Sequence, residues 1–520
     1  MRAKKRKTCF LICDIISSGM KTSLFSTEGE EMAKAYRPLP IFLSGNRAEQ
    51  PPKAWTVSLK ETVAEVLEKY PDDSILAVTF SAMSQVCLPV DETGTPLGPA
   101  FTWSDSRAEE LPDPLTGQFS GEYLHRLAGF PNTPNSSIRK LFWLKERQPE
   151  IYRRTACMLQ CKDYLAYCLT GVFATDETDA ATTGALNLRE RNWSAEITEG
   201  LGLNREKLPK IVPSYELVGR VTEEAQAQFG IAAGTPVIMG AGDNVCSAIG
   251  AGCVRPGDVY MSLGSSSWVA ACKEEPVLDK EMLFSVFPHA VPGSYLSFVN
   301  YQTAGVVFKW LKNAVFQYDP EGCREVLPYK NVYPYTEMEA LVEAGSPGAK
   351  GLLFLPHLLS GDSSHRESFA RGAYLGLSWE HTRADMVRAA LEGVTFELRF
   401  FLEAVTGEKR LERLTVTGVA SHERCWLQML ADVLGIPVRN TELHDTPDSI
   451  GAAILAGYGI GIYENMDQAD RFRKWEETFV PDPERHQDYE ALYGIYREAF
   501  GEVSDTFRKL ETWREGREKA

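Results

Sequence analysis

The stretch CFLICDIISSGMKTSLFS (residues 9–26) combines residue types that can bind phosphate. An apolar run ends at Asp14, a turn containing Ser17 and Ser18 follows, and Lys21 precedes a second apolar run. Small turn residues leave backbone N–H groups uncovered for an anion, while serine hydroxyls add donors and lysine adds positive charge. Asp14 would hold a hydrated Mg²⁺ ion beside the phosphates, because this ion prefers oxygen ligands and keeps its waters. The alternative is a solvent-facing hairpin whose aspartate stabilises the turn.

A second small-residue turn, SLGSSSW (residues 262–268), has the same donor-rich character without a carboxylate. Two such turns would bind a polyphosphate chain, and the phosphate-loop motif GxxxxGK[ST] is absent from the sequence. The stretch 258–272 repeats the strand–turn–strand pattern of the first hairpin about half a chain later. The repeated pattern predicts two similar domains whose turns face a shared cleft, and a chance likeness of two hairpins is the alternative.

A third stretch, VIMGAGDNVCSAIGAG (residues 237–252), places Asp243 and Asn244 among glycines at the end of an apolar run. Glycines around an aspartate let a ligand approach the backbone closely. Asp243 is therefore a candidate base that takes a proton from a substrate hydroxyl. Phosphoryl transfer needs a base, magnesium and donors that hold the phosphates in line. The alternative is a capped turn at a strand–helix junction.

The composition bounds the protein class. The chain has 520 residues and a formal charge of −16, which predicts two or more domains and argues against nucleic-acid backbone binding. The sequence contains no run of about 18 apolar residues, so we expect no membrane-spanning helix. The run CFLIC before Asp14 is too short for a secretory core. None of the 11 cysteines forms a CxxC pair, so we expect thiols in a reducing cytoplasm.

Strand-like and helix-like runs alternate along the chain, which predicts the α/β class. Helices are expected at 56–70 and 383–405, where apolar residues recur three and four apart. The predicted strands are short apolar runs: 74–80, 235–241, 258–263, 351–356 and 413–418.

Two segments resemble the signatures of the FGGY carbohydrate kinases: GAYLGLSWEHTRADMVRAALEG (372–393) and SSIRKLFWLKER (136–147). The segments at 88–110 and 161–194 resemble the xylulokinase-like branch of this family. The resemblance covers about residues 8 to 465. It implies two actin-like, ribonuclease H-like domains with a cleft between them, and transfer of the γ-phosphate of ATP to a sugar or polyol.

The resemblance also implies site residues. Asp243 matches the catalytic base, and Asp14 and Asp243 match the residues associated with Mg²⁺. The residues implied to bind ATP are Asp14, Ser17, Ser18, Lys21, Gly264, Ser265, Ser266, Gly305, Gly418, Ala420 and Ser421. The residues implied to bind the acceptor are Ser84, Gln85, Trp103, Asp243 and Asn244.

The sequence departs from the family pattern at three places. Ile16 replaces the glycine of the first phosphate motif, and a branched side chain there would block backbone approach to phosphate or force a different turn. Val419 and Ala420 stand where the adenosine loop is usually glycine-rich. Gln85 replaces a histidine of the xylulokinase pocket, which puts D-xylulose itself in doubt.

The expected domains are 8–254, with the acceptor site and the catalytic aspartate, and 255–465, with the nucleotide site. A helical extension is expected at 466–520, packed on the domains. The expected function is ATP-dependent phosphorylation of a sugar or polyol, with a pentulose-like substrate favoured, in the cytoplasm; a homodimer is usual in this branch. A non-catalytic sugar- or nucleotide-binding protein with a degenerate ATP site is the alternative.

Overall fold

The computed structural model describes residues 7–70, 74–264, 266–279, 281–311, 335–359, 369–407, 411–441 and 447–518. The strands in these ranges are β1 Thr8–Ile16, β2 Gly19–Ser26, β3 Glu31–Pro38, β4 Phe42–Ser44, β5 Arg47–Gln50, β6 Ser74–Ala82, β7 Leu88–Val90, β8 Ala100–Phe101, β9 Cys157–Leu159, β10 Ala174–Asp176, β11 Leu186–Asn187, β12 Asn192–Trp193, β13 Lys210–Val212, β14 Leu217–Arg220, β15 Pro236–Ile238, β16 Ala241–Gly242, β17 Val259–Ser262, β18 Ser267–Lys273, β19 Ser285–Pro288, β20 Tyr295–Tyr301, β21 Leu353–Leu355, β22 Ala373–Leu375, β23 Leu414–Thr417, β24 Val438–Thr441 and β25 Trp475–Phe479.

The α-helices are α1 Pro52–Lys69, α2 Gly121–Ala128, α3 Ser137–Arg147, α4 Pro149–Arg154, α5 Cys161–Thr170, α6 Glu177–Thr182, α7 Ala195–Gly200, α8 Glu223–Phe229, α9 Asp243–Gly250, α10 Ala304–Trp310, α11 Tyr335–Ala344, α12 Arg383–Thr406, α13 Arg424–Leu434, α14 Pro447–Gly459, α15 Ala469–Phe472 and α16 Pro483–Glu518. The predicted α/β class is confirmed. Both predicted helices are present, and α1 begins four residues before the expected start at 56.

The chain divides into two units, each assembled from separate segments. The described residues of the first unit fall within Met1–Asp258, Ala271–Ser297 and Thr446–Lys474. Those of the second unit fall within Val259–Ala270, Phe298–Asp445 and Trp475–Ala520.

The first unit is built on a sheet with the strand order β14-β15-β6-β1-β2-β3, and β16 pairs with β6 beyond β15. Strand β1 lies parallel to β6 and antiparallel to β2. Its residues from Cys9 to Ile15 are almost all fully buried, as expected for a strand that is covered on both faces. Leu11 and Cys13 pack in a core with Trp55 of α1. Successive side chains alternate between faces, so Asp14 points away from that core.

The predicted strands at 74–80, 258–263, 351–356 and 413–418 are confirmed as β6, β17, β21 and β23. The expected strand at 235–241 is split into β15 and β16. Gly240 causes the interruption because its φ is +75°, and a Cβ atom there would lie 2.0 Å from the carbonyl oxygen of Phe80. The backbone thus turns immediately before Asp243.

In the second unit, β17, β23 and β24 run parallel, and β25 pairs antiparallel with β24. Strand β25 lies inside the extension that was expected to be helical. The rest of that extension is largely α16, a helix of 36 residues. Its buried Tyr489 donates a hydrogen bond to Glu392 of α12 at 2.8 Å, so this helix packs on the second unit.

No helix of the described ranges is both long and apolar enough to cross a membrane. The ten cysteines in the same ranges form no disulfide.

Candidate active site

The first hairpin brings the predicted phosphate-binding residues of the first unit together. Asp14 and Lys21 are direct partners in the β1–β2 register, and Lys21 Nζ lies 3.0 Å from Asp14 Oδ2. Ser17 and Ser18 form the two-residue turn between the strands, with Ser18 exposed. Lys21 Nζ also lies 3.4 Å from Oδ1 of Asp448, a residue that the sequence did not single out. The ammonium group is thus shared by two carboxylates.

The structure shows how Ile16 fits into this turn. Ile16 is the last residue of β1 and pairs with Gly19, and it is not among the described residues with positive φ. The branched side chain is compatible with this position because it is a strand position, which β-branched residues favour. A side chain at Gly19 would displace Tyr36, because a Cβ atom there would lie 2.3 Å from the Tyr36 ring. The Tyr36 hydroxyl donates to the carbonyl oxygen of Ser18 at 3.0 Å and so closes the turn.

Burial and mutual repulsion set the charges at this hairpin. Asp14 is fully buried, and burial followed by the Asp448 carboxylate raises the pKa of Asp14 well above its usual range. Burial acts in the same direction on Asp448, but the Lys21 ammonium outweighs it and the pKa of Asp448 is lowered. Lys21 stays charged because the two carboxylates raise its pKa despite burial.

Asp243 is the first residue of α9 and is half-buried. The backbone N–H of Asn244 donates to Asp243 Oδ1 at 2.8 Å, which orients the carboxyl group. Burial raises the pKa of Asp243 to about 7, with a smaller contribution from Asp448. The resulting carboxylate, poised near neutral pH, is suited to accept a proton.

A close helix contact links the elements that carry Asp243 and Asp448. Helices α9 and α14 approach through two glycines, where neither helix could carry a larger residue. A Cβ atom on Gly250 would lie 1.8 Å from the carbonyl oxygen of Pro447, and one on Gly451 would lie 1.9 Å from that of Cys246. Backbone-to-backbone packing therefore fixes α14, and with it Asp448, against the helix that Asp243 begins.

Ser84 and Asn244, two of the residues predicted to bind the sugar or polyol, lie beside Gly242. A Cβ atom on Gly242 would lie 2.7 Å from Ser84 Oγ and 3.5 Å from Asn244 Oδ1. It would also lie 3.3 Å from Oδ1 of Asp179, and Ser84 Oγ donates to that oxygen at 2.8 Å. The structure thus brings Ser84, Asn244 and the backbone next to Asp243 into one place, and adds Asp179.

Asp179 belongs to a buried ion cluster under the site. Lys162 Nζ lies 2.8 Å from Asp163 Oδ1, 2.8 Å from Asp176 Oδ1 and 3.1 Å from Asp179 Oδ2, and all four side chains are essentially inaccessible to solvent. Burial raises the pKa of Asp179 to about 7, although the Lys162 ammonium acts against it. Lys162 donates a hydrogen bond to Asp163, and its ammonium charge also holds the carboxyl groups of Asp176 and Asp179 in place.

A fully buried lysine, Lys140, holds the backbone at Gln85 and next to Trp103, the other two residues predicted to bind the sugar or polyol. Lys140 Nζ donates to the carbonyl oxygen of Gln85 at 2.8 Å and to that of Thr102 at 2.6 Å. Gln85 has a φ of +60°, a conformation that is strained for a residue other than glycine. Burial lowers the pKa of Lys140 to about 7. Lys140 thus fixes the strained backbone of Gln85 and the segment that carries Trp103.

The second unit brings its own predicted nucleotide residues together. The N–H of Gly305 donates to the carbonyl oxygen of Gly264 at 3.1 Å, and that of Ala420 donates to the carbonyl oxygen of Leu263 at 3.0 Å. Gly418 has a φ of +92°, and a Cβ atom there would lie 2.4 Å from the same Leu263 oxygen.

The remaining nucleotide candidates flank this group. The Ser421 hydroxyl donates to the carbonyl oxygen of Gly418 at 2.7 Å, and Ser266 lies two residues after Gly264 in the sequence. The predicted contact Ser265 lies outside the described residues. Val419, one of the departures from the family pattern, is 63% exposed, and its Cγ2 atom lies 3.9 Å from the Cβ position of Gly264.

The donor set of the first unit fits a magnesium ion held through water. Asp14, Asp448 and Asp243 supply carboxylate oxygens, which are the ligands that Mg²⁺ prefers. Within the described ranges, no three His, Cys, Asp or Glu side chains are grouped closely enough to bind a metal directly. Asp14 and Asp243 stay the predicted contacts of the ion, through its own waters.

Two family models match the chain over most of its length. The model of the FGGY family of carbohydrate kinases, N-terminal domain, matches residues 9–250, and that of the C-terminal domain matches residues 259–460. The chain belongs to the FGGY family of carbohydrate kinases. FGGY kinases are phosphotransferases that act on sugar hydroxyls, and sugar kinases of this family use ATP.

Relatives of this FGGY kinase act on more than one sugar. It is 28% identical to a xylulose kinase of Staphylococcus epidermidis over 486 residues, 93% of each chain. It is 26% identical to a gluconokinase of Bacillus subtilis over 489 residues, 93% of this chain and 94% of the relative. The crystal structure of a ligand-bound xylulose kinase from Lactobacillus acidophilus superimposes with a TM-score of 0.89 at 23% identity, covering 97% of this chain and all of that one. The predicted actin-like α/β fold is thereby confirmed.

Four residues at the site escaped the sequence analysis: Lys140, Lys162, Asp179 and Asp448. The first three lie in segments that were matched to the family without a role for each residue. A charged residue inside an otherwise apolar or small-residue segment was the available signal, because such a residue is rarely buried without a partner. Asp448 gave no such signal, since an aspartate in the first turn of a helix is common for local reasons.

Proposed function

We propose that this FGGY kinase transfers the γ-phosphoryl group of ATP to a hydroxyl of a sugar or polyol, with a pentulose-like acceptor favoured. The observation that carries the proposal is the position of Asp243. Asp243 is the first residue of α9, and the N–H of Asn244 orients its carboxyl group. The preceding residue, Gly242, is in close contact with Ser84. A half-buried carboxylate among polar, reachable side chains is placed to accept a proton from an acceptor hydroxyl.

In the proposed reaction, Asp243 accepts the proton of the acceptor hydroxyl as its oxygen attacks the γ-phosphorus, and ADP leaves. Ser84, Gln85, Trp103 and Asn244 hold the acceptor so that one hydroxyl faces Asp243. Orientation of the two reactants supplies much of the rate enhancement in phosphoryl transfer.

The phosphate groups would be bound by backbone N–H groups and hydroxyls of two small-residue turns together with Lys21. The proposed nucleotide contacts are Asp14, Ser17, Ser18, Lys21, Gly264, Ser265, Ser266, Gly305, Gly418, Ala420 and Ser421. Mg²⁺, held through water by Asp14 and Asp243, would neutralise the phosphate charge.

The test is the release of ADP from Mg-ATP in the presence of ketopentoses, polyols and sugar acids, one at a time. Stimulation of release by at least one of them, with formation of the corresponding phosphate ester, is the expected result. Absence of stimulation by every acceptor, together with no stabilisation by Mg-ATP in a thermal melt, would reject the proposal.

A second candidate function is binding of a sugar or nucleotide without catalysis. The sharing of Lys21 between Asp14 and Asp448 favours it, because an ammonium held by two carboxylates has less charge to offer a phosphate. Mg-dependent ATP binding, measured as a shift of the melting temperature, discriminates between the two. A shift without turnover for any acceptor would favour the binding protein.

The cytoplasmic location, the homodimer and the domain bounds 8–254, 255–465 and 466–520 stay predictions from the family resemblance. Size-exclusion chromatography with light scattering tests the dimer directly.

A further inference from the structure

The hydroxyl of Ser84 already donates its proton to a buried carboxyl group. Ser84 Oγ donates to Asp179 Oδ1 at 2.8 Å, and Asp179 is fully buried with its second oxygen 3.1 Å from Lys162 Nζ. A hydroxyl has one proton to donate and two lone pairs that accept. Because the hydroxyl proton points to Asp179, Ser84 Oγ can only accept hydrogen bonds from a ligand.

The neighbouring groups at this surface also accept hydrogen bonds. Gly242 has no side chain to separate Ser84 from the start of α9; a Cβ atom there would touch Ser84 Oγ. The Asp243 carboxylate follows, and an ionised carboxylate accepts hydrogen bonds without donating any. Ser84 and Asp243 are both half-buried, so a small molecule can reach them. Ser84 and Asp243 thus present hydrogen-bond acceptors to a ligand, beside the amide group of Asn244, which can both donate and accept.

The lysines around this surface already have oxygen atoms as partners of their ammonium groups. Lys162 is shared among three aspartates, and Lys140 is fully buried with both of its described contacts to backbone carbonyl oxygens. Lys21 is held between Asp14 and Asp448. Each of these three lysines is already engaged by oxygen atoms, so none of them offers an uncommitted positive charge to an anionic acceptor.

We propose that the acceptor of this enzyme is an uncharged polyhydroxyl compound, and that Ser84, oriented by Asp179, selects it against sugar acids. A surface lined by hydrogen-bond acceptors matches a neutral sugar or polyol, whose hydroxyl groups donate hydrogen bonds. A sugar acid would place a carboxylate, which only accepts, beside Ser84 Oγ and near Asp243. The inference rests on the proposed function, and it separates two chemistries that are both found among the relatives, those of xylulose kinase and gluconokinase.

Matched pairs of acceptors test the proposal. D-glucitol and D-gluconate differ only at one terminal carbon, as do xylitol and D-xylonate, so each pair isolates the carboxylate; D-xylulose serves as a neutral ketose. We expect kcat/KM for the better neutral member to exceed that of its acid by about 100-fold or more, because like charges brought together in an interface are strongly disfavoured. A sugar acid used as well as or better than its neutral counterpart would overturn the inference while the kinase function stands.

Direct binding keeps this test independent of turnover. Calorimetric titration with the same pairs should show tighter binding of the neutral member even if no phosphate ester forms. In that case the proposed kinase function fails and the inference about the acceptor holds. Tighter binding of the acid member would contradict the inference in either case.

Variants locate the effect at Ser84. Ser84→Ala should raise KM for the neutral acceptor about 10-fold, the loss of one good hydrogen bond, and leave KM for Mg-ATP unchanged. In Asp179→Asn, the amide oxygen should face the Lys162 ammonium and the N–H group should face Ser84 Oγ. The Ser84 proton is then available to the ligand, and the difference in kcat/KM between neutral and acid acceptors should narrow. Ser44→Ala, at an exposed serine of β4, is the control and should change neither constant. An unchanged acceptor KM in Ser84→Ala would show that Ser84 does not select the acceptor.

Discussion

The indole Nε1 of Trp103 donates a hydrogen bond to Ser17 Oγ at 2.6 Å, which joins a residue predicted to bind the acceptor to one predicted to bind phosphate. Both residues lie in the first unit. Trp103 is anchored from its other side, because Asn135 Nδ2 donates to its carbonyl oxygen at 3.0 Å. An acceptor that moves the indole would thus also move or release the Ser17 hydroxyl.

A double-mutant cycle measures this connection. Trp103→Phe keeps an aromatic surface and removes only the donor, and Ser17→Ala removes the acceptor of the bond. If the bond couples the two sites, the effects of the two changes on KM for Mg-ATP should be non-additive by about 1 kcal/mol, which is about fivefold. Additive effects would show that the residues act independently despite their contact.

Removal of the cation from the buried cluster should destabilise the first unit strongly. Lys162→Met leaves Asp163, Asp176 and Asp179 without their shared counter-charge, and breaking a buried ion pair costs about 3–5 kcal/mol. Chemical denaturation should show this loss in the free energy of unfolding. Lys34→Met is the matched control: Lys34 pairs with Glu31 at 3.8 Å on the surface, and its removal should cost less than about 1 kcal/mol. Equal losses would mean that the cluster is not the stabilising element.

The contact between α9 and α14 should tolerate no side chain. Gly451→Ala would place a methyl group 1.9 Å from the carbonyl oxygen of Cys246, so the helices must separate. We expect a loss of about 1–3 kcal/mol in the free energy of unfolding and a lower kcat, since α14 also carries Asp448. Gly494→Ala is the control because nothing lies within 4 Å of its Cβ position in α16; this change should be neutral or slightly stabilising. A neutral Gly451→Ala would contradict the close contact.

A buried histidine should make the stability depend on acid pH. His289 is fully buried and hydrogen-bonded at Nε2 to the carbonyl oxygen of Cys253 at 2.8 Å; burial, with a smaller effect of Arg191, lowers its pKa from 6.5 to about 4. The unfolded chain binds a proton at a higher pH than the folded chain does. The contribution of His289 to stability is therefore full above pH 6.5 and falls, by at most about 3 kcal/mol, as the pH drops from 6.5 to 4.

His289→Gln removes the titrating group, so the free energy of unfolding should vary less over this interval than it does in the unchanged protein. His422→Gln, at an exposed histidine, is the control for the replacement of a histidine by glutamine. An unaltered slope in His289→Gln would assign the acid sensitivity to other groups.

Local patterns predicted the parts of the site that depend on neighbours in sequence. The pairing of Asp14 with Lys21 follows from a two-residue turn between alternating strands, and Asp243 follows an apolar run and glycines. Contacts between distant segments left no such trace. Lys21 and Asp448 are 427 residues apart, and Ser84 and Asp179 are 95 apart, so only the folded sheet and the α9–α14 contact bring them together.

Ile16 stands where the first phosphate motif of the family has a glycine. Loss of a motif glycine suggested an altered phosphate turn, yet the position is an ordinary strand residue in this chain. The close approach is instead at Gly19, where Tyr36 packs over the turn. Likewise, a helical extension was predicted from 466, whereas Trp475–Phe479 pairs antiparallel with β24 and forms a strand.

The most direct test of the proposed mechanism is Asp243→Asn, assayed with the acceptor that gives the highest kcat/KM. The change keeps the size of the side chain and removes its capacity to take a proton. We predict that phosphate-ester formation falls by about 10²-fold or more, while calorimetry shows acceptor binding within a few-fold of the unchanged protein. Phosphorylation at a near-normal rate, or acceptor binding lost together with turnover, would contradict the assignment of Asp243 as the base.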